Sequence, residues 1–186
     1  MTTTKPLRAD AQRNRDALLA TARELFADGG FDLRFDDFAR LAGVGTGTLY
    51  RHFPTRVALA EAVYRDELTA LCGRARTLQA TLPATEALAA FLGGFVSHLH
   101  SHQGLARTLA TLLAERPDTL AEGGRELEQV ITDLLAAGVE EGTVRDDVGA
   151  GAVLMVIQGV STACGHPGSR ADADGAVTLV LDGLHR

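Results

Sequence analysis

Between Arg34 and Phe53 the chain reads RFDDFARLAGVGTGTLYRHF, two short helix-like stretches separated by a glycine. Two short helices joined by a tight turn need three things, and this segment supplies each. Ala39 is small enough for the second helix to approach the first. Gly43 can take the positive φ that the turn demands. Val44 and Leu49 are placed to bury against the first helix and set the crossing angle. The remaining residues of the second stretch, Thr46, Gly47, Thr48, Tyr50, Arg51 and His52, then face outward.

An ordinary helical hairpin accounts for Ala39, Gly43, Val44 and Leu49. It accounts less well for an exposed set of Thr, Tyr, Arg and His with no acid between Val44 and Arg56. Short side chains on a helix let its backbone sink into a major groove. Threonine can contact phosphates, base edges or a thymine methyl, and Tyr50 and His52 can donate to phosphates. Arg34 and Arg56 complete the candidate DNA-binding residues. The segment therefore points to a helix-turn-helix over residues 34–53.

Charge is distributed as that reading requires. The net charge of -6 is unfavourable for a polyanion partner. Yet residues 1–56 hold nine Lys/Arg against seven Asp/Glu, while the rest holds nine against seventeen. Only the front of the chain suits DNA, and acid repulsion discourages the remainder from lying on it.

Elsewhere helix is also expected. The chain is 46% hydrophobic and has no Trp, so Leu, Ala and Val supply most of the burial. Strand-favouring residues are sparse. Residues 1–9 read as disordered, and Leu18, Leu19, Ala22, Leu25 and Phe26 recur at helical spacing up to Gly29-Gly30. Thr55 is a good N-cap for a long helix carrying Leu59, Val63 and Leu68. Further helices then follow, opening near Pro83, Leu105, Pro117, Val148 and Asp172, with breaks at His102-Gln103-Gly104, Glu141-Gly142 and the Gly165–Ser169 loop. Asp146 or Asp147 can cap the helix from Val148. The fold class expected is all-α.

The same residues resemble the tetracycline-repressor (TetR) family of bacterial regulators. The resemblance lies in RDALLATARELFADGGFD, in FDDFARLAGVGTGTLYRHFPTRVALAEAV, and above all in GTLYRHFPTR; it covers about residues 11–71. Beyond that the chain is compatible in helix count, and EEGTVRDDV is similar to the turn that often precedes the family's last two helices. One departure is that Arg34-Phe35 stands where the family usually places a capping Ser or Thr that touches phosphate. Arg34 can still reach a phosphate, and Asp32 is the alternative cap. The resemblance implies a DNA-binding domain over residues 11–71 and a ligand-binding and dimerisation domain over 72–186. It also implies a homodimer on a near-palindromic double-stranded operator, with a cavity for a small-molecule effector.

The C-terminal part supplies candidates for those roles. Phe91, Phe95, Leu99, Leu109, Leu112, Leu113 and Ile131 lie on expected inward faces and would line a largely apolar site, with His98 as polar anchor. Gly93-Gly94 inside an apolar helix is unusual, and either close packing or room for a ligand would explain it. The helices from Val148 and Asp172 are apolar on more than one side. Val153, Leu154, Val156, Ile157 and Val160, with Val177, Val180, Leu181 and Leu184, would build a four-helix dimer interface.

Other classes find less support. His98, His100 and His102 invite a metal-binding or enzymatic reading, but His100 points away from the other two and no third ligand is evident. A helical interaction module is the third reading. No catalytic constellation and no phosphate-binding loop is present, so no enzyme, metal or cofactor is expected. The start, MTTTKPLRAD, is polar and too short for an export signal. The apolar stretch Val148–Cys164 reads as a buried helix rather than a membrane span. Cys72 and Cys164 are expected to be free thiols in a reducing cytoplasm.

Overall fold

The computed structural model describes residues 4–29, 33–163 and 170–186. Its order is α1 (Thr4–Ala27), α2 (Phe35–Leu41), α3 (Thr46–His52), α4 (Arg56–Thr81), α5 (Ala84–Ser101), α6 (Gln103–Leu112), α7 (Pro117–Glu140), α8 (Ala150–Ala163) and α9 (Arg170–Leu184). Among the described residues the only strand-like pairing is an isolated bridge between Val144 and His185, so the chain is all-α.

Several boundaries have direct local causes. Gly43, at φ +68°, carries the α2–α3 turn. The Thr55 hydroxyl accepts from the Ala58 amide at 3.1 Å, so Thr55 does cap α4. Gly142, at φ +74°, ends α7 with its amide on the Val139 carbonyl. α5 starts differently: the Glu141 carboxylate receives the Ala84 amide, with both oxygens at 3.2 Å. Neither Asp146 nor Asp147 caps α8. Asp147 is held by Arg145, at 2.5 and 2.7 Å, and the helix starts beyond Gly149.

α1 begins at Thr4, where sequence alone suggested disorder up to residue 9. Pro6 lies in its first turn, where a missing N–H costs nothing because that amide has no helical partner. Asp32, Cys164 and the Gly165–Ser169 loop lie outside the described residues.

The chain divides into two compact units, and the division departs from the one expected. The first takes the chain up to Asp66 together with Gly104–Thr119; the second takes Glu67–Gln103 and Leu120–Arg186. In the first unit Leu18, Leu19, Ala22 and Phe26 of α1 are buried, as are Phe38 and Ala39 of α2, Leu49 of α3, and Leu59, Ala60 and Val63 of α4. Phe26 and Phe38 meet with ring centroids 5.5 Å apart.

α6 belongs to this first unit, and two contacts explain why. The Thr108 hydroxyl, itself buried, donates to the Phe26 carbonyl at 2.7 Å. Gly104 lies so close to the end of α1 that a Cβ there would stand 2.0 Å from the Ala27 carbonyl oxygen. Only glycine permits that approach.

The second unit has its own core. Leu88, Phe91, Leu92 and Phe95 of α5 pack with Leu127, Ile131 and Leu134 of α7, Val153 and Ile157 of α8, and Val177 and Leu184 of α9. No described helix is long and apolar enough to cross a membrane.

Candidate DNA-binding interface

α3 is the outward element of the first unit. Leu49 is its one buried residue, while Thr46, Gly47, Tyr50 and Arg51 are exposed and Thr48 and His52 half-buried. The structure thus gathers Thr46, Gly47, Thr48, Arg51 and His52 on one short helix, as expected from sequence. A Cβ at Gly47 would meet no protein atom within 4 Å, so the fold itself does not require glycine there. Arg51 and His52 fall in the last turn of α3, where positive charge also complements the helix dipole.

The flanking candidates divide. Arg34 is exposed at the N-cap of α2, and it makes no side-chain capping bond, in line with the missing Ser or Thr. Asp36 and Asp37 in the first turn supply favourable negative charge to that uncapped end. Arg56 is half-buried and drawn inward: its guanidinium donates to the Leu33 carbonyl and stands 5.6 Å from the Phe38 ring centre. Its geometry braces α4 against the helix-turn-helix.

The Tyr50 phenol is held above the usual tyrosine value, first by hydrogen bonding to Asp36. Burial and the negative charge of Asp36 add to it, and Arg34 opposes it. Tyr50 also meets Phe35 edge-on, with centroids 5.4 Å apart. Nothing in the sequence signals this contact, because Phe35 and Tyr50 sit on different helices.

Sequence reasoning also passed over Glu61. Its carboxylate, largely shielded on α4, pairs with Arg116 at 2.8 Å and accepts from the Thr119 hydroxyl at 3.2 Å. A single acid within VALAEAV is the signal that was available.

The candidate effector residues fall in both units. Phe91, Phe95 and Ile131 are buried in the second unit's core, with Leu99 packed against it; the two Phe rings stack at 6.0 Å. Leu109, Leu112 and Leu113 belong to the first unit, because α6 is fastened to α1. His98 lies in the second unit with Nε2 3.3 Å from the Glu67 carboxylate, and its ring stacks on His102 at 4.3 Å. The His100 Nδ1 is buried elsewhere without a hydrogen-bond partner, and no group of three or more His, Cys, Asp or Glu among the described residues could hold a metal. The three histidines thus form no common site. Gly94 is exposed and a Cβ at Gly93 or Gly94 would meet nothing within 4 Å, so these glycines do not serve close helix packing.

The expected dimer stripe is also redistributed. Val153, Leu154, Ile157, Val177 and Leu184 are buried within the protomer, and Val160, Val180 and Leu181 pack against its core. Val156 is exposed, joined by two residues the sequence reading did not name, Met155 and Leu179, each 74% exposed.

A helix-turn-helix whose acid-free α3 is exposed, in a chain whose other unit has its own helical core, defines the class of helix-turn-helix transcription regulators. Residues 18–63 match the family described as bacterial regulatory proteins, tetR family, and residues 83–186 match the SbtR-like transcriptional regulator C-terminal domain. The chain belongs to the TetR family of transcriptional regulators, a family of DNA-binding proteins rather than enzymes. Among its relatives is the HTH-type transcriptional repressor KstR2 of Mycolicibacterium smegmatis, 31% identical over 151 residues, which span 77% of this chain and 74% of that protein. Two solved structures are also similar. The TetR regulator SCO0520 of Streptomyces coelicolor is 37% identical with a TM-score of 0.76, over 92% of this chain and 98% of that one. A TetR regulator of Mycobacterium vanbaalenii is 34% identical with a TM-score of 0.72, over 97% and 100%.

Proposed function

We propose that the protein is a cytoplasmic, homodimeric repressor that reads a near-palindromic operator with α3 and is released by a small, largely apolar effector. The observation that carries the DNA-reading part is the acid-free α3 with Thr46, Gly47, Tyr50 and Arg51 exposed; in this reading Thr46, Gly47 and Thr48 meet base edges, and Arg34, Tyr50, Arg51 and His52 meet phosphates. The 31% identity to a protein named as a repressor supports repression.

Dimerisation is supported by Met155, Val156 and Leu179, large apolar residues exposed on α8 and α9. A four-helix interface made of these two helices from each subunit would cover them. The effector belongs to the second unit, where Phe91, Phe95, Leu99 and Ile131 offer an apolar surrounding and the His98–Glu67 pair a polar anchor. α4 contributes residues to both units, so it is the element along which binding in one is felt in the other.

The test is linkage. An effector that weakens operator binding 100-fold must favour the released state by about 2.7 kcal/mol. Operator DNA must then weaken effector binding by the same factor. Compounds that bind the protein while leaving operator affinity unchanged at saturation would refute effector control. Failure of the protein to prefer any duplex would refute the reading as a whole.

A further inference from the structure

α1 carries none of the residues so far placed on DNA, yet one of its arginines reaches the end of α3. The Arg15 guanidinium lies over the ring of Phe53, with its carbon 5.8 Å from the ring centre. Phe53 closes α3: its amide donates to the Leu49 carbonyl at 2.7 Å, and its side chain is buried. The ring of His52 meets the same Phe53 ring, with centroids 6.2 Å apart. Phe53 is thus a shared platform for a cation from α1 and an imidazole from α3.

Arg15 differs from its neighbours in having no anion. On the same helix Arg13 is paired with Asp10 and Arg23 with Asp66. Asp16, next to Arg15 in the chain, accepts from Gln12 at 2.8 Å. Among the described residues no acid or carbonyl takes the Arg15 guanidinium. A guanidinium laid on a ring uses its face, and its N–H donors, which lie in its plane, stay available. Arg15 is half-buried, so its stem is placed before any partner arrives. Its charge joins those of Arg51 and His52 at the negative end of the α3 dipole, on a helix without an acid.

We propose that Arg15 is a phosphate-binding residue of the DNA interface, held by Phe53 so that its N–H edge meets the DNA backbone beside the C-terminal end of α3. Phosphate is the ligand chemistry that fits, because the planar guanidinium fork matches it and a backbone that reaches His52 passes close to Arg15. The contact is independent of base sequence: it positions α3 in the groove and reads nothing. The competing role is a brace, in which Arg15 only packs α1 onto Phe53. The two roles differ in salt dependence, because only a phosphate contact releases counterions.

The proposal rests on the DNA-reading function, and its test keeps the two apart. The full-length protein and its Arg15→Met, Arg15→Lys and Arg107→Gln variants are titrated across a salt series with two duplexes: one enriched by the wild type from a random-sequence pool, and a scrambled duplex of the same composition. Arg15→Met keeps an apolar stem on Phe53 and removes the charge. It should flatten the slope of log affinity against log salt by about 0.9 for each copy of the chain on the duplex, on both duplexes alike. That is a loss of about 8-fold per copy at about 0.1 M salt, vanishing toward about 1 M. Arg15→Lys keeps the charge and should keep the slope. Arg107→Gln removes the same charge from an exposed position on α6, whose Gly104 meets Ala27 at the other end of α1, about 18 Å along the helix from Arg15. It should leave the slope unchanged.

A second readout uses the wild type alone, so it decides even where Arg15→Met does not fold. Phenylglyoxal modifies accessible guanidinium groups, and mass spectrometry locates them. Saturating duplex should shield Arg15 and leave Arg107 reactive. An Arg15→Met protein that binds more weakly by one factor at every salt concentration, with its slope unaltered, would overturn the proposal in favour of the brace. So would a loss confined to the enriched duplex, or an Arg15 that reacts at one rate with and without DNA. If wild type enriches no sequence, it is the DNA-reading function that fails, and the slopes on the scrambled duplex still decide whether Arg15 meets phosphate.

Discussion

Replacing Gly47 with Ala should separate stability from function in one step. Gly47 is the second residue of α3, is exposed, and does not have a positive φ. An added Cβ would meet nothing within 4 Å. Alanine therefore fits without strain and narrows the unfolded ensemble, a gain of about 0.4–1 kcal/mol. The lower half of that range applies so near a helix end, which corresponds to roughly 1–3 °C in Tm for a chain of this length. On DNA the sign reverses. If the α3 backbone comes close to the base edges, the methyl overpacks that contact at about 1–3 kcal/mol, or roughly 5–150-fold in affinity. Thermal melting by circular dichroism and anisotropy titration of a duplex enriched by the wild type from a random-sequence pool measure the two effects. Gly94→Ala is the control: Gly94 is exposed in α5 with equal room for a methyl, so it should raise Tm and leave DNA affinity alone. A Gly47→Ala protein that melts higher and binds as wild type would refute the close approach of α3. One that melts lower would refute the conformational argument.

Other outcomes follow from the same geometry. Gly104→Ala should destabilise by about 1–3 kcal/mol, seen in urea unfolding, because its Cβ would collide with the backbone of Ala27; an unchanged midpoint would show that α6 is not fastened there. Met155→Glu with Leu179→Glu should give folded monomers in sedimentation that no longer bind operator, whereas a charge at the fully buried Ile157 should unfold the protein; dimers surviving the double change would place the interface elsewhere. Operator affinity should fall roughly 10³–10⁵-fold between 50 and 200 mM salt for a dimer making about 6–10 phosphate contacts, and a flat dependence would contradict the phosphate assignment. The Cys72 thiol is pushed up chiefly by burial and further by Glu126, with Arg76 opposing; it should resist alkylation at neutral pH in the native state and react once urea unfolds the chain.

The helix-turn-helix was legible because every local signal agreed. Gly43 marks the turn, Thr55 the cap, and Leu49 the buried side of α3, so Thr46–His52 followed. The start of α1 was not legible, since Thr4 to Ala9 lacks apolar periodicity and includes a proline. α6 shows a different gap: its apolar stripe says that one face is buried but not against what, and only Gly104 and Thr108 reveal its attachment to α1. α8 and α9 are apolar on more than one side, so periodicity could not tell the core-facing Ile157 from the outward Met155. The Phe35–Tyr50 contact joins two helices and left no pattern along the chain at all.

The central claim is that α3, presented twice by a dimer, reads a specific DNA sequence. Selection of random duplexes by the full-length protein, with the enriched site then footprinted, tests it most directly. The account predicts a near-palindrome whose half-sites are centred about 10–10.5 base pairs apart, one turn of DNA, and a change in the preferred bases when Thr46 or Thr48 is substituted. Enrichment of no sequence, or of one that those substitutions leave unaltered, would contradict it.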